Sequence, residues 1–362
     1  MDAALADLVE RIRRAAAQGQ PLRIRGGGTK DFYGERLEGE LLETGALRGI
    51  VNYEPSELVI TARAGTTLAE VEQALAAQGQ CLPFEPPHFG PGATVGGMVA
   101  AGLSGPARAS VGAVRDYVLG LQMVNGRGEE LVFGGQVMKN VAGYDVSRLM
   151  AGALGTLGLI TEVSLKVLPV APAEATLRFE LPQAEALRRL NAWGGQPLPL
   201  NASCWVDDDS VPTLFLRLRG AVAAVEAACR TLGGERMDNA QTAGDWDACR
   251  EQRLPWFAER GARDLWRLSV PQTAPVLELP EPPLVEWHGA ERWVRAEAKD
   301  AQRVREAALA AGGHATLFRT ERSDAAARFT PLAPALATIH ERLKQQFDPA
   351  GVFNRGRLYP QS

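Results

Sequence analysis

The stretch "RIRGGGTKDF", residues 23–32, sets three consecutive glycines directly after a short run in which apolar and polar residues alternate. This alternation predicts a strand that ends at the glycines. Glycine has no Cβ, so a turn built from it lets backbone N–H groups approach an anion closely. The stretch therefore predicts a phosphate-binding loop, although a plain turn explains the same glycines taken alone.

The familiar nucleotide motifs do not match this chain. A Walker loop requires GxxxxGK[ST], whereas "RGGGTK" reverses the Lys and Thr and lacks the four-residue gap. A Rossmann fingerprint requires GxGxxG between a strand and a helix, whereas "GPGATVGG", residues 90–97, is one residue too long and follows a proline-rich segment. Neither a P-loop nor a Rossmann site is predicted.

The composition limits the kinds of protein to which this chain can belong. The chain has 362 residues, 46% of them hydrophobic, and a formal net charge of −4, which predicts two globular domains and argues against a nucleic-acid partner. No signal peptide or membrane-spanning run is apparent, so we expect a cytoplasmic protein. The four cysteines form no CxxC pair, so no iron–sulfur ligand set is predicted.

Local patterns predict the order of elements in the first part of the chain. Thr66 and Thr67 are candidate N-caps for a helix over "LAEVEQALAAQG". "YVLGLQMV" and "EELVFG" predict a hairpin with Asn125-Gly126 in the turn. Residues 81–112, rich in Gly, Pro, Ala and Ser, are predicted to form a long functional loop. A domain border is predicted after residue 172.

Residues 173–325 differ in composition and predict an antiparallel α+β domain, followed by a C-terminal segment over 326–362. Strands are predicted over such stretches as "TLFLRLRG" and "DLWRLSV", and helices over such stretches as "AVEAACRTLG". Trp246, Trp256 and Trp266 recur every ten residues, which fits no helical face. Two interpretations stay open for these tryptophans: a buried core, or a partner-binding surface.

Four stretches taken together carry a family resemblance: "RGGGTK" (25–30), "PGATVGGMVAAGLSGP" (91–106), "KNVAGYDVSRLMAGALGTLG" (139–158) and "FDPAGVFNRGRL" (347–358). The set resembles the vanillyl-alcohol oxidase family, which has the PCMH-type FAD-binding fold. The resemblance implies an α+β protein with a two-subdomain FAD-binding domain and a smaller antiparallel α+β cap. The third stretch and "GGHATLFR" (312–319) resemble most the FAD subunits of bacterial glycolate oxidases.

The resemblance implies FAD as the cofactor and assigns its binding residues. These are Arg25, Gly26, Gly27, Gly28, Thr29, Pro91, Gly92, Ala93, Thr94, Gly96, Gly97, Gly102, Ser104, Gly105, Asn140, Gly155 and Ile160. Many members of the family attach FAD covalently through a histidine after the first glycines, where this chain has Thr29. Non-covalent FAD is therefore expected, with His88 as the one competing attachment residue.

The same resemblance implies a function and partners. The chain is expected to be the FAD-binding subunit of a 2-hydroxyacid oxidoreductase that acts on a small 2-hydroxy acid. Electrons would pass to an iron–sulfur subunit beside a related larger FAD subunit, which leaves peripheral membrane association through partners open. Asn354 and Arg319 are the candidate catalytic residues, and no metal site is predicted because the histidine pair of related dehydrogenases is missing. The alternatives are a non-catalytic flavin-carrying subunit and an autonomous oxidase of 2-hydroxy acids or alcohols.

Overall fold

The computed structural model describes residues 2–36, 38–135, 144–207, 211–322 and 327–359. Its strands are β1 (Leu22–Arg25), β2 (Glu40–Glu43), β3 (Ile50–Glu54), β4 (Val59–Arg63), β5 (Gln80–Cys81), β6 (Val118–Val124), β7 (Glu130–Gly134), β8 (Leu159–Lys166), β9 (Leu168–Pro169), β10 (Ala173–Glu180), β11 (Leu200–Val206), β12 (Thr213–Gly220), β13 (Glu235–Arg236), β14 (Asp264–Ser269), β15 (Leu284–Glu286), β16 (Glu291–Ala296) and β17 (His314–Arg319).

The helices are α1 (Ala3–Gln18), α2 (Leu68–Ala76), α3 (Val95–Ala101), α4 (Arg108–Val111), α5 (Val114–Tyr117), α6 (Val146–Leu149), α7 (Gln183–Gly194), α8 (Val222–Leu232), α9 (Asn239–Arg250), α10 (Pro255–Ala258), α11 (Ala301–Ala310) and α12 (Pro334–Phe347). Short 3₁₀ turns occur at Pro55–Glu57, Trp287–Gly289 and Ala298–Asp300. The mixture of helices with largely antiparallel sheets confirms the α+β class.

The chain forms two compact units. The first comprises Met1–Leu103, Ala113–Pro169 and Pro331–Ser362, and the second comprises Ser104–Gly112 and Val170–Thr330. Compactness alone does not define the borders of domains, so the borders expected after residues 172 and 325 stay predictions.

The first unit is built around a five-stranded antiparallel sheet in the order β3-β4-β8-β6-β7. The hairpin of β6 and β7 is confirmed. Asn125 shapes its turn, because its side-chain oxygen accepts hydrogen bonds from the backbone N–H groups of Arg127 and Glu129 at 2.9 and 3.0 Å. The helix after Thr67 is also confirmed, with the Thr67 hydroxyl accepting a hydrogen bond from the Glu70 N–H.

The prediction of one long loop over residues 81–112 was wrong in part, because α3 and α4 lie within it. The glycines and prolines of this stretch predict a loop because both residues disfavour a helix interior. In α3 the small residues serve close packing instead, since a Cβ on Gly96 would lie 2.7 Å from the Cβ of Ala64. Small side chains in this stretch therefore indicate a tightly packed helix.

A second sheet of the first unit joins both ends of the chain. Strand β1 pairs in parallel with β2, and Leu22 of β1 also forms a parallel bridge with Phe353 in the C-terminal tail. Helix α1 packs its buried Leu8, Val9 and Ile12 into the same cluster of apolar residues as Leu22 and Phe353. The strand that carries the glycine turn is thus held by segments from both termini.

The second unit contains an eight-stranded antiparallel sheet in the order β13-β10-β12-β11-β15-β16-β14-β17. Helices α7 and α8 pack on one part of it, and α11 packs on another. Trp246, Trp256 and Trp266 are exposed by only 6%, 2% and 0%, so they are core residues of this unit. The core interpretation of these tryptophans is therefore confirmed.

Candidate cofactor site

Three glycines at the end of β1 form a turn that packs against a second glycine-containing segment. A Cβ on Gly27 would overlap the carbonyl oxygen of Gly92, and a Cβ on Gly26 would overlap the hydroxyl of Thr94. Gly28 has a φ of +72°, a conformation that L side chains rarely adopt. The turn therefore requires glycine at all three positions, and it brings two of the predicted stretches into contact.

The second stretch is held in place on two sides. The Thr94 hydroxyl caps α3 by accepting a hydrogen bond from the Gly97 N–H at 3.2 Å. Thr94 also forms an antiparallel bridge with Thr67, and Gly96 packs against Ala64. These contacts hold the segment in place where it packs against the glycine turn.

A pocket of about 300 Å³ opens beside the glycine turn, within the first unit. All four stretches that carry the family resemblance contribute to its walls. The described residues that line it are Arg23, Ile24, Arg25, Gly26, Gly27, Gly28, Thr29, Lys30, Asp31, Arg36, Thr94, Gly97, Ala100, Ala101, Leu154, Asn354 and Arg357. Five of these side chains are cationic and one is anionic, a balance that suits a polyanion such as a diphosphate.

Two of the cations are held in place by neighbouring groups. Arg25 Nε lies 2.8 Å from Asp31 Oδ2. Lys30 Nζ donates a hydrogen bond to the carbonyl of His88 at 3.2 Å and lies 5.6 Å from the centroid of the Phe89 ring. The positive charge at the pocket is therefore positioned by the protein itself.

Arg357 connects the C-terminal tail to the loop that follows the glycines. Its Nη1 donates a hydrogen bond to the carbonyl of Glu35 at 2.6 Å, and its Nη2 donates one to the carbonyl of Asp31 at 3.0 Å. The Glu35 N–H in turn donates to the Arg357 carbonyl at 2.9 Å. Sequence reasoning missed this role, because backbone carbonyls more than 300 positions away leave no pattern in the sequence.

Asn354, a predicted catalytic residue, lines the pocket, and both ends of its amide are used within the first unit. Its Oδ1 accepts a hydrogen bond from the Ile24 N–H at 2.8 Å, and its Nδ2 donates one to the Leu154 carbonyl at 2.6 Å. The residue is only 3% exposed, and a Cβ on Gly155 would lie 2.7 Å from its Nδ2. Asn354 therefore fastens the tail to the strand that carries the glycines, and its catalytic role stays a prediction.

An ion pair between half-buried Lys344 and buried Asp348 supports the C-terminal tail. Lys344 Nζ lies 2.9 Å from Asp348 Oδ2, and it donates hydrogen bonds to the carbonyls of Thr156 and Phe353 at 2.8 and 2.7 Å. Asp348 accepts hydrogen bonds from the N–H groups of Val352 and Phe353. Burial lowers the pKa of Lys344, while the charge of Asp348 opposes that shift. Sequence reasoning did not single out this pair.

The predicted cofactor residues of the first unit form two groups, those that line the pocket and those that do not. Those that line the pocket are Arg25, Gly26, Gly27, Gly28, Thr29, Thr94 and Gly97. Those of the first unit that lie outside its lining are Pro91, Gly92, Ala93, Gly96, Gly102, Gly155 and Ile160. Ile160 packs in the apolar core of that unit, and Gly102 packs against Gly152. The cofactor roles of both groups stay predictions.

Three further predicted cofactor residues lie elsewhere. Ser104 and Gly105 belong to the second unit, where the Gly105 carbonyl accepts a hydrogen bond from Trp287 Nε1 at 3.0 Å. Asn140 lies outside the described residues. His88, the competing attachment residue, has its Nε2 3.1 Å from Glu72 Oε1.

Arg319, the other predicted catalytic residue, lies in β17 of the second unit. Its Nε donates a hydrogen bond to Gln252 Oε1 at 3.0 Å. Burial, with a smaller contribution from Arg260, lowers the pKa of Arg319 to about 10. The guanidinium remains charged near neutral pH, and its catalytic role stays a prediction.

Comparison with known proteins identifies the family and the cofactor. Residues 3–134 match the family described as the FAD binding domain. The chain is 48% identical over 353 residues to glycolate oxidase subunit GlcE of Escherichia coli (strain K12), a match that covers 97% of this chain and 96% of that protein. The chain belongs to the GlcE family. It is an FAD-dependent oxidoreductase, and FAD is its cofactor.

Other relatives are similar over shorter lengths. Glycolate oxidase subunit GlcD of Bacillus subtilis (strain 168) is 33% identical over 128 residues, which cover 35% of this chain and 27% of that protein. A D-lactate dehydrogenase of Archaeoglobus fulgidus is 34% identical over 168 residues, which cover 46% and 37%. A solved alkyldihydroxyacetonephosphate synthase shares the fold, with a TM-score of 0.66 at 14% identity over 96% of this chain and 75% of that one.

The residues of the pocket fit FAD. A dinucleotide needs backbone donors that no side chain obstructs. The turn leaves no room for a Cβ at Gly26 or Gly27, and Gly28 has a φ that L side chains rarely adopt. The cationic lining fits the two phosphates. Over the described ranges, no three His, Cys, Asp or Glu side chains are grouped so that they could hold a metal ion. Within the same ranges, no helix is both long and apolar enough to cross a membrane.

Proposed function

We propose that this chain is the FAD-binding subunit of a glycolate-type 2-hydroxyacid oxidoreductase and that its electrons leave through a partner iron–sulfur subunit. The observation that carries the proposal is the similarity to GlcE, because it extends over 97% of the chain and therefore over both compact units. The partial similarity to GlcD supports a complex that also contains a related, larger FAD subunit.

In this proposal the first unit binds FAD through its diphosphate. Lys30 and Arg25 neutralise the phosphates, and the glycine turn supplies backbone N–H donors beside them. Asn354 and Arg357 act as positioning residues, since their hydrogen bonds fix β1 and the following loop. When bound, FAD supplies the acceptor for the hydride that the substrate loses.

We propose that FAD is held without a covalent bond. The flavin links found in related proteins need a nucleophilic side chain, and Thr29 occupies the position where the family's histidine is expected. None of the described residues that line the pocket is a histidine, cysteine or tyrosine. His88, the nearest competitor in the sequence, bonds to Glu72 through its ring and to Lys30 through its carbonyl.

A second candidate function is that of a flavin-carrying subunit whose related partner oxidises the substrate. The contacts of both predicted catalytic residues favour it. The amide of Asn354 is engaged with Ile24 and Leu154, and the guanidinium of Arg319 is engaged with Gln252. A small 2-hydroxy acid needs a cation for its carboxylate and a base for its hydroxyl proton, so these engaged side chains are less suited to both tasks.

The attachment of FAD is tested by acid precipitation of the purified full-length chain. We expect a yellow protein whose FAD passes entirely into the supernatant, as measured by absorbance at the flavin maximum. Flavin that stays with the precipitated protein would contradict non-covalent binding. A colourless chain that cannot be reconstituted with FAD would contradict the cofactor itself.

The division between catalyst and carrier is tested by anaerobic reduction. Glycolate is added to the chain alone and to the chain with its larger FAD subunit and iron–sulfur subunit, and flavin absorbance is followed. Bleaching of the chain alone supports catalysis by this subunit, whereas bleaching only in the complex supports the carrier. Steady oxygen consumption by the chain alone would instead support an autonomous oxidase.

A further inference from the structure

A histidine of the second unit lies between two serine hydroxyls. His288 Nε2 is 2.9 Å from the Oγ of Ser110, and His288 Nδ1 is 3.1 Å from the Oγ of Ser203. All three residues belong to the second unit, and none of them is among the described residues that line the pocket beside the glycine turn. The function proposed above therefore does not use this serine–histidine–serine cluster.

The backbone at the centre of the cluster is strained. Trp287 and His288 have φ values of 52° and 54°, and Gly289 follows with a φ of 105°. Bulky L residues rarely adopt this left-handed conformation, so the contacts around the turn must impose it. Ser203 Oγ accepts a hydrogen bond from the His288 backbone N–H at 2.9 Å, and Trp287 Nε1 donates one to the Gly105 carbonyl at 3.0 Å. Strain of this kind is concentrated at functional sites.

The hydrogen bonds of Ser203 favour one tautomer of His288. Ser203 Oγ accepts a hydrogen bond from the backbone N–H of His288, and a hydroxyl oxygen has a second lone pair, which is free to accept from Nδ1–H. We therefore assign the ring proton to Nδ1, which leaves Nε2 to accept a hydrogen bond from the Ser110 hydroxyl. A nucleophile, a base and a third group that orients the base are the three parts of a catalytic triad.

The two ends of the cluster differ in exposure. Ser110, in the short helix α4, is exposed, whereas His288 is only 9% exposed. Burial lowers the pKa of His288 to about 4, so the ring is neutral and able to accept a proton above about pH 5. The Arg108 guanidinium, 4.4 Å from the centroid of the Trp287 ring, adds positive charge beside the same turn. A reagent in solvent therefore reaches a hydroxyl that is bonded to a neutral, buried base.

We propose that Ser110 is a nucleophile that accepts acyl groups from activated esters, with His288 as its general base. The Ser110 oxygen attacks the ester carbonyl and forms a new C–O bond, while its proton passes to His288 Nε2. The C–O bond to the leaving group then breaks, and His288 returns the proton to the departing oxygen. The acyl group remains as an ester on Ser110, and nothing is oxidised or reduced. The proposal does not depend on the function assigned to the first unit.

The chemistry of the cluster limits the substrates to esters with good leaving groups. Ser203 is a neutral hydroxyl where a Ser-His-Asp enzyme has a carboxylate, so it does not stabilise the protonated ring by charge. A weakly basic imidazole assists proton transfer less than a strongly basic one. Aryl esters, whose leaving groups depart readily, should therefore acylate Ser110. Water is a poorer nucleophile, so the acyl group should be released slowly.

The test uses the full-length, FAD-loaded chain and p-nitrophenyl acetate at pH 7. We expect a burst of about one nitrophenolate per chain, followed by turnover that is at least about tenfold slower. Digestion with trypsin locates the acetyl group, because the peptide 109–115 contains Ser110 as its one hydroxyl. Release of nitrophenolate without acetylation of this peptide would overturn the proposal.

Three variants separate the roles of the residues. S110A should abolish the burst, and S56A is the matched control, because Ser56 is an exposed serine of the first unit. H288Q should lower the rate of acylation at least about tenfold, and S203A should lower it by about threefold or more. Tryptophan fluorescence checks the folding of each variant. A burst that persists in S110A, or an unchanged rate in folded H288Q or S203A, would overturn the proposal.

The pH profile distinguishes the buried His288 from a histidine in solvent. Because its ring stays neutral down to about pH 5, the rate of acylation should change less than about twofold between pH 7 and pH 5. A base with the ordinary pKa of about 6.5 would lose about 25-fold over the same range. A loss of that size would contradict His288 as the base.

Discussion

Two pockets in the described part of the chain differ in the groups that form them. The pocket beside the glycine turn in the first unit, the proposed FAD site, depends on glycines that bring chain segments into contact, and cationic side chains line it. A pocket of about 210 Å³ in the second unit is formed by side chains from three strands and two helices, in which Trp246 bonds to Thr176 and Trp256 lies against Arg295. Where glycines pack against backbone, one added Cβ disrupts the whole site. Where side chains form the site, one substitution removes one interaction.

The largest effect on FAD affinity is expected from the variant G27A. An added Cβ would overlap the Gly92 carbonyl, so the turn must open, and we expect FAD affinity to fall by about 100-fold or more. The measurement is flavin content and reconstitution with FAD. G45A is the matched control, because Gly45 has open space around its Cα, and that variant should retain FAD fully. Normal flavin content in G27A would show that the turn is not the diphosphate site.

An effect on stability, and on FAD binding only through it, is expected in the same unit from K344M. The change leaves Asp348 buried without its cation and leaves two backbone carbonyls without a donor, which should cost about 3–5 kcal/mol. The measurement is the temperature at which FAD fluorescence rises on release. R14M is the control, since its exposed contact with Glu40 is long. An unchanged release temperature in K344M would mean that the tail is not held by this ion pair.

The second unit should lose stability gradually with acid. Burial lowers the pKa of His288 to about 4, so the folded state prefers the neutral imidazole that bonds to Ser203 and Ser110. Because the folded pKa is below the unfolded value, this contribution is complete above about pH 6.5. It is lost as the pH falls from there towards 4, by about 3 kcal/mol in total.

Urea unfolding followed by tryptophan fluorescence measures this, because all seven tryptophans belong to the second unit. The variant H288Q should be less stable at pH 7, and the difference from the wild type should shrink as the pH falls to 4. A difference that stays constant across this range would contradict a neutral buried His288.

The smallest expected effect is that of one hydrogen bond in the second pocket. W246F removes the bond to Thr176 and should cost about 1 kcal/mol of unfolding free energy. T176V removes the same bond from the other side. The double variant should therefore cost less than the sum of the two single variants. Strict additivity would show that the two side chains are not coupled.

The sequence predicted what is local in each unit. The glycine turn follows its strand directly, and the hairpin at Asn125 is encoded by its own turn residues, so both could be inferred from neighbouring positions. Strands such as β12 and β14 were also marked by their own apolar patterns.

The rest depends on contacts between distant positions. Lys344 reaches the Thr156 carbonyl 188 residues away, and Arg357 reaches backbone carbonyls more than 320 residues away. A lysine or arginine that bonds to backbone leaves no complementary side chain to recognise. The second pocket combines residues from five elements, so no single stretch of sequence could have indicated it. Helix α3 was not predicted because its glycines, which allow close packing, are also typical of loops.

The return of the tail to β1 has a consequence for how the protein is made. The amide of Asn354 bonds to the Ile24 N–H across 330 residues, so the strand that carries the glycine turn is synthesised long before its partner. At ribosomal rates of about 5–20 residues per second, that strand waits roughly 16–66 s. The whole second unit is translated in the interval. Completion of the pocket beside the glycine turn is therefore a late event. A ribosome that stalls within the second unit leaves a chain whose glycine turn has no Asn354 to fasten it.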